Sequence, residues 1–315
     1  MKRVGVVGTM VWDTIYGRAP AQQPVEEWGG IAYSLVALDQ ALPPDWQIVP
    51  LIKVGRDLAP RANEFLGELT HRAPVARFIE VLEPNNRVTL HYESAARRTE
   101  CLTGGVPPWT WAELGPMVRD LDAIYLNFCS GFELSIEAAR ALRHGYAGPI
   151  YADLHSLFLG VARHGLRVPQ NLADPPGWFS CFDVVQVNED EMLRLGADPM
   201  AVAATALGLG VRLLVVTLGD RGAVYFTRGE PPMSTRRGLP TATIQTARLA
   251  PPRVVPDPDP TGCGDVFGAT LAARLLAGDA VEPAVVRAND FGAQNAACRG
   301  AGAFLHHLRG GIAVP

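Results

Sequence analysis

Asp259-Pro260-Thr261-Gly262-Cys263-Gly264-Asp265 runs directly into Val266-Phe267-Gly268-Ala269-Thr270-Leu271-Ala272-Ala273-Arg274-Leu275-Leu276-Ala277-Gly278. Phe267, Leu271 and Leu275 recur at spacing four and Gly278 is a natural stop. The second part therefore reads as a helix, and Gly262, Cys263 and Gly264 stand where it begins. The free N–H groups of a helix's first turn, together with its dipole, attract anions. Two glycines let the backbone come close to a phosphate. Asp265 sits in the same turn, where a permanently bound phosphate would repel it. A neutral hydroxyl between the two resolves the conflict: the carboxylate accepts its proton while the amides hold the transferring phosphoryl group. A plain glycine turn with an acidic first-turn residue explains the same residues, and short glycine patterns alone do not decide.

Outward from this stretch, strand-like and helix-like segments alternate. Val4–Val7, Ile48–Val54, Ala123–Leu126, Pro149–Ala152, Val184–Val187 and Leu213–Val216 read as buried strands. Ile31–Leu42, Ser135–His144 and Pro199–Leu207 favour helix. This order predicts an α/β fold, a doubly wound, mostly parallel sheet flanked by helices. Two segments break the pattern. Thr14–Trp28 is polar and lacks helical periodicity, and in Arg87–Leu102 the residues Val88, Leu90 and Tyr92 alternate with polar Thr89 and His91. Together they predict a small β-strand lid inserted in a single domain spanning 1–315.

The 315 residues are 48% apolar and 19% charged, with a net charge of −4. A sizeable core needs no disulfides at that length. No basic or acidic block points to nucleic acid. Cys101, Cys129, Cys181, Cys263 and Cys298 are odd in number, widely spaced and form no C-x-x-C pair, so neither a disulfide framework nor a zinc site is expected. No stretch approaches about 18 uninterrupted apolar residues, and the N-terminal apolar run is too short for a signal peptide. A cytoplasmic protein without membrane contact is the expectation. Gly5-Val6-Val7-Gly8 does not make a dinucleotide loop, because G-x-G-x-x-G is absent.

Asp259–Asp265 resembles the D-T-x-G-A-G-D signature of the ribokinase-like, or PfkB, carbohydrate kinases, with Pro260 for the usual Thr and Cys263 for the usual Ala. Further motifs resemble the family in the right order: a first strand Val4–Asp13 ending in a sugar-binding aspartate, the pair Gly29-Gly30, the turn Val54-Gly55-Arg56-Asp57, Asn188-Glu189-Asp190-Glu191 as N-x-x-E, and Thr217–Ala223 as T-x-G-x-x-G-A. The resemblance implies an ATP-dependent phosphotransferase acting on a hydroxyl of a small sugar-like substrate.

It implies a role for each matching residue. Asp265 is the catalytic base, and Gly262, Cys263 and Gly264 supply the anion hole. Asp13, Gly29, Gly30 and Ser34 bind substrate; Ser34 stands where the family commonly has Asn and offers only one hydroxyl. Asn188, Thr217, Gly219 and Asn295 belong to the nucleotide site, Asn295 together with Gln294 beside the adenine. Glu191 organises Mg2+ with Asn188, largely through water; a helix cap explains that pair equally well. Asp259 and Thr261, with Asp257 as a second acidic candidate, match positions for a monovalent cation such as K+. Trp12, Trp28, Tyr33, His91 and Tyr92 would favour a nucleoside acceptor if they stacked on a base. Arg87, Arg97 and Arg98 would suit an acidic or phosphorylated one. A nucleoside kinase and a catalytically silent ligand-binding regulator are the alternatives, and a homodimer through the lid is expected by analogy. The Cys263 thiol is a candidate for oxidant sensitivity.

Overall fold

The computed structural model describes residues 1–16, 23–92, 98–229, 231–235, 243–256 and 258–310. The expectations placed on Asp257, Arg97, the Arg98 side chain and the middle of both lid segments lie outside the described residues. In chain order the strands are β1 (Lys2–Tyr16), β2 (Val25–Gly30), β3 (Trp46–Gly55), β4 (Ile79–Val81), β5 (Arg87–Tyr92), β6 (Arg98–Thr103), β7 (Ala123–Asn127), β8 (Ile150–Asp153), β9 (Leu159–Val161), β10 (Arg167–Pro169), β11 (Val184–Asn188), β12 (Leu213–Thr217), β13 (Ala223–Thr227) and β14 (Gln245–Leu249). The α-helices are α1 (Ile31–Ala41), α2 (Ala59–Gly67), α3 (Trp111–Met117), α4 (Ile136–Gly145), α5 (Pro175–Phe179), α6 (Glu189–Leu195), α7 (Pro199–Gly208), α8 (Cys263–Leu276), α9 (Val281–Asn295) and α10 (Ala301–Leu308).

The main sheet has the order β14-β13-β12-β11-β8-β7-β1-β3-β4. It is parallel except where β13 meets β12 and β14. Successive side chains of a strand point to opposite faces, and the apolar runs divide accordingly. Val184, Leu213 and Tyr125 pack with α1, α2, α8, α9 and α10 on one face. Val185, Leu214 and Leu126 pack with α3, α4, α5 and α7 on the other. The chain winds outward from β1 to β3 and β4, then returns to β7 on the other flank of β1. Such a reversal opens a crevice at the carboxyl ends of the strands.

β1 is longer than the sequence indicates. It does not end at Asp13 but continues to Tyr16, because it serves two sheets: Lys2–Thr9 pair with β3, and the remainder pairs with β2 and β5. β6 then pairs antiparallel with β5. These strands form the lid, whose own small core holds Val11, Ile15, Val88 and Leu90. The Val54–Asp57 turn anchors the lid's base. Asp57 accepts hydrogen bonds from the Asn85 amide (2.9 Å) and from Arg87 (2.7 Å), and Asn85 donates to the Met10 carbonyl (2.9 Å). Among the described residues no helix is long and apolar enough to cross a membrane.

Candidate active site

A cavity of about 590 Å3 lies between the lid and the carboxyl ends of β8, β11 and β12. That volume falls within the range of about 300–1,000 Å3 usual for small-molecule sites. One end is lined by Val11, Asp13, Val88, Leu90 and Glu100; the middle by Gly262, Gly264 and Asp265; the other end by Asn188, Thr217, Gly219, Val254, Val255 and Ala293.

The loop before α8 is held by its own backbone and by α9. Asp259 donates its amide to the Ala296 carbonyl (2.9 Å), and its Oδ1 accepts from the amide (2.9 Å) and hydroxyl (2.6 Å) of Thr261. Gly262 caps α8 at φ 73°, a left-handed conformation natural to glycine. A Cβ there would run into the ring of Tyr33, which is buried beneath it. No side chain caps the helix. Among the described residues the amides of Gly262 and Gly264 have no partner, and Gly264 is exposed to the cavity. Cys263 departs from the expected anion hole: the left-handed turn sends its amide back to the Pro260 carbonyl (3.2 Å). Its thiol is pushed up to about 12 by burial, and Cys129 rises well above the ordinary thiol value for the same reason. Burial thus disfavours the thiolate from which the oxidant sensitivity expected of Cys263 would start.

Asp265 lines the cavity, and its Oδ1 accepts a hydrogen bond from Asn127 Nδ2 at 2.6 Å. Asn127 closes β7 and carried no motif in the sequence. Ser34 is not a substrate contact. It is fully buried in α1, bonds Asn127 Nδ2 and Tyr125 OH (both 3.2 Å), and donates to the Asp265 carbonyl (3.4 Å). Gln186 of β11 completes this polar floor, donating to the Gly264 carbonyl (3.0 Å) and to Asp153 Oδ2 (2.7 Å).

Asn295 also departs from its expected place. It is buried behind the loop rather than beside a base, donating to the Thr261 carbonyl (2.8 Å) and the Cys263 sulfur (3.5 Å). Gln294 is engaged with Asp290. Asp13 and Gly29 do come together: a Cβ on Gly29 would overlap the Asp13 carboxylate. Gly30 follows at φ 56° and lines the same cavity.

At the far end, Asn188 and Thr217 are register partners at the ends of neighbouring strands, and Gly219 begins the next turn at φ 60°. Asn188 and Glu191 make the reciprocal cap at the start of α6 (amide to Oδ1 2.9 Å, amide to Oε2 2.7 Å). Glu191 also meets Nδ1 of His155 at 2.6 Å. No three His, Cys, Asp or Glu residues among those described could hold a metal ion directly. Yet Asp153, Glu189, Asp190, Glu191 and Asp220 all border the cavity. Burial, with repulsion from Glu191 and Asp265, raises the Asp153 carboxyl well above its usual value. Such a set fits a hydrated divalent cation held mostly through water.

The aromatic side chains singled out in the sequence are engaged with other residues. Trp12 and Trp28 pack edge to face on each other, His91 stacks on Tyr16, and Tyr92 bonds Thr261 Oγ1 (2.6 Å), tying the lid to the loop. Arg87 is paired with Asp57.

Residues 168–308 match the family model described as pfkB family carbohydrate kinase. The chain is 24% identical to an Arabidopsis thaliana ribokinase over 212 residues, 64% of this chain and 48% of that protein, so it spans about half the length of that relative. Among solved structures, a pyrophosphate-dependent kinase of the ribokinase family, in its sulfate complex, superposes with a TM-score of 0.73 at 14% identity over 95% of this chain and 96% of that one. A putative ribokinase II from E. coli, in complex with ATP and Mg2+, gives 0.71 at 17% identity over 98% of both. These likenesses show the fold.

Proposed function

We propose, from the match of residues 168–308 to the pfkB family carbohydrate kinase model, that the chain transfers the γ-phosphoryl group of ATP to a hydroxyl of a small sugar-like acceptor. One juxtaposition carries the reading: the Asp265 carboxylate shares a cavity with the bare amides of Gly262 and Gly264 on one side and with Asp13 on the other. Asp265 takes the proton of the acceptor hydroxyl as its oxygen attacks the γ-phosphorus. The new O–P bond forms as the bond to the β,γ-bridging oxygen breaks, and ADP departs. The amides of Gly262 and Gly264, at the positive end of α8, stabilise the charge that spreads over the phosphoryl oxygens. Asn127 aims the carboxylate.

The nucleotide lies along Asn188, Thr217 and Gly219, with its base against the apolar wall of Val254, Val255 and Ala293. Glu191 and its acidic neighbours would hold Mg2+ through water, and the ion would neutralise the phosphate charge. The lid, closed over the acceptor, keeps out the water that would otherwise compete. The aromatic contacts favour a sugar-like acceptor over a nucleoside, since those rings are already occupied. The test is a panel of sugars, polyols and nucleosides scored for acceptor-dependent ADP release with Mg2+, with pyrophosphate replacing ATP in parallel. Phosphorylation of a sugar or polyol from ATP is expected. Turnover confined to nucleosides or to pyrophosphate, or none above the rate with water, would sink this reading.

A further inference from the structure

Tyr92 ends β5, the lid strand that begins at Arg87. Alternation along the strand puts Val88, Leu90 and Tyr92 on one face. Val88 and Leu90 border the cavity. Tyr92 packs against the small lid core, and its hydroxyl goes further: Oη lies 2.6 Å from Oγ1 of Thr261, the residue immediately before Gly262. Phenylalanine would fill the same place in the row; the hydroxyl adds the reach to the loop.

The direction of this bond follows from counting protons. Thr261 has one hydroxyl proton, and Oγ1 donates it to Asp259 Oδ1 at 2.6 Å. That proton is committed, so the phenol of Tyr92 is the donor to Oγ1. The result is a chain from Tyr92 O–H through Thr261 O–H to the Asp259 carboxylate. The remaining polar atoms of Thr261 are fixed by the loop and by α9. Its amide donates to Asp259 Oδ1 (2.9 Å), and its carbonyl accepts from Asn295 Nδ2 (2.8 Å). The Asp259 amide in turn donates to the Ala296 carbonyl (2.9 Å). Lid and loop thus meet at a hydroxyl that adjoins the turn of Gly262 and Gly264, and Thr261 is buried there.

Such a contact links two binding events. A ligand shifts an equilibrium only by its differential affinity for the two states. A phosphate held by the amides of Gly262 and Gly264 steadies the loop on which the lid docks. A docked lid steadies the loop that holds the phosphate. By linkage, each helps the other by the same factor.

We propose that Tyr92 is a positioning residue that couples the two ends of the cavity: its bond to Thr261 makes nucleotide binding at the loop favour the docked lid, and the docked lid favour nucleotide binding. This rests on the kinase reading above. Tyr92 acts through Thr261 and not on a reacting atom.

The test uses the full chain with Mg2+ and β,γ-imido-ATP, a donor that does not transfer, so the acceptor need not be known. Hydrogen exchange of the β5 and β6 amides is followed with and without this nucleotide in the wild type and in Tyr92→Phe. In the wild type the nucleotide should slow lid exchange about two- to tenfold, the scale of one net hydrogen bond. In Tyr92→Phe that slowing should disappear, while the nucleotide Kd rises by at most the same factor. Thr261→Val removes the accepting oxygen and completes a double-mutant cycle: adding Tyr92→Phe to it should change the lid response by less than about twofold. Lid exchange that ignores bound nucleotide in the wild type overturns the proposal. So does an equal response in Tyr92→Phe, or full additivity of the two substitutions. A merely structural tyrosine would speed lid exchange equally with and without nucleotide, leaving their ratio unmoved, and that result also overturns it. All of these leave the kinase reading standing, because the nucleotide is bound. Failure of the wild type to bind β,γ-imido-ATP fails both readings.

Discussion

Replacing Asp265 by Asn removes the proton acceptor while keeping the size and shape of the side chain. Oδ1 of Asp265 accepts from Asn127 Nδ2 at 2.6 Å, and the amide oxygen of an asparagine can occupy the same place and keep that bond. The carbonyl of residue 265, which Ser34 and Tyr125 approach at 3.4 Å, is untouched. Stability should therefore stay within about 1 kcal/mol, the scale of one neutral hydrogen bond. The amides of Gly262 and Gly264 do not change, so ATP affinity should stay within about threefold, or tighten slightly as a negative charge leaves the phosphate site. General-base assistance is worth about 10²- to 10⁴-fold, or about 3–5 kcal/mol of barrier. Acceptor-dependent turnover should fall by that factor, measured by coupled ADP release, while titration calorimetry with ATP and thermal unfolding report binding and fold. Turnover within tenfold of wild type would refute the assignment of the base. Loss of ATP binding or of the folded state alongside it would show that the carboxylate is structural.

Gly262→Ala combines a left-handed residue with a Cβ pressed into the buried Tyr33 ring, and should cost about 2–5 kcal/mol in urea unfolding as well as activity. Gly29→Ala would displace the Asp13 carboxylate, so the acceptor KM should rise well before the ATP KM does. Glu113 is held down at about 2 from 4.5, first by the Thr110 backbone amide and then by Lys53. A depressed carboxyl stabilises the fold above its unfolded value, and the contribution is lost as pH falls from 4.5 toward 2. The stability gap between wild type and Glu113→Gln should accordingly shrink as pH falls from about 4.5 to about 2. It should be modest throughout, since the Glu113 side chain is 44% exposed and solvent screens it.

Much of the scaffold was legible because its signals are local. The apolar runs Val184–Val187 and Leu213–Val216 became the buried strands β11 and β12, and spacing four from Phe267 to Leu275 became α8. The Asn188–Glu191 pair sits within one helical turn, and its cap geometry followed from that spacing. The lid was visible as a change of period at Val88, Leu90 and Tyr92, though not as the continuation of β1 through Tyr16. What pairs with a strand is set by distant residues, and a 15-residue strand shared by two sheets has no local mark.

The sequence by itself determined where α8 begins, which residues make its glycine turn, and that Asp265 stands in its first turn, since helix starts obey steric and hydrogen-bonding rules acting over a few residues. The tertiary structure alone decided which side chains face the cavity. It turned Ser34 and Asn295 inward, brought Asn127 from 138 positions away to the Asp265 carboxylate, and set Tyr92 of the lid against Thr261. The reason is physical: a side chain's surroundings are fixed by which elements pack against its own, and those elements meet only once the sheet, the lid and the loop before α8 have closed around one another.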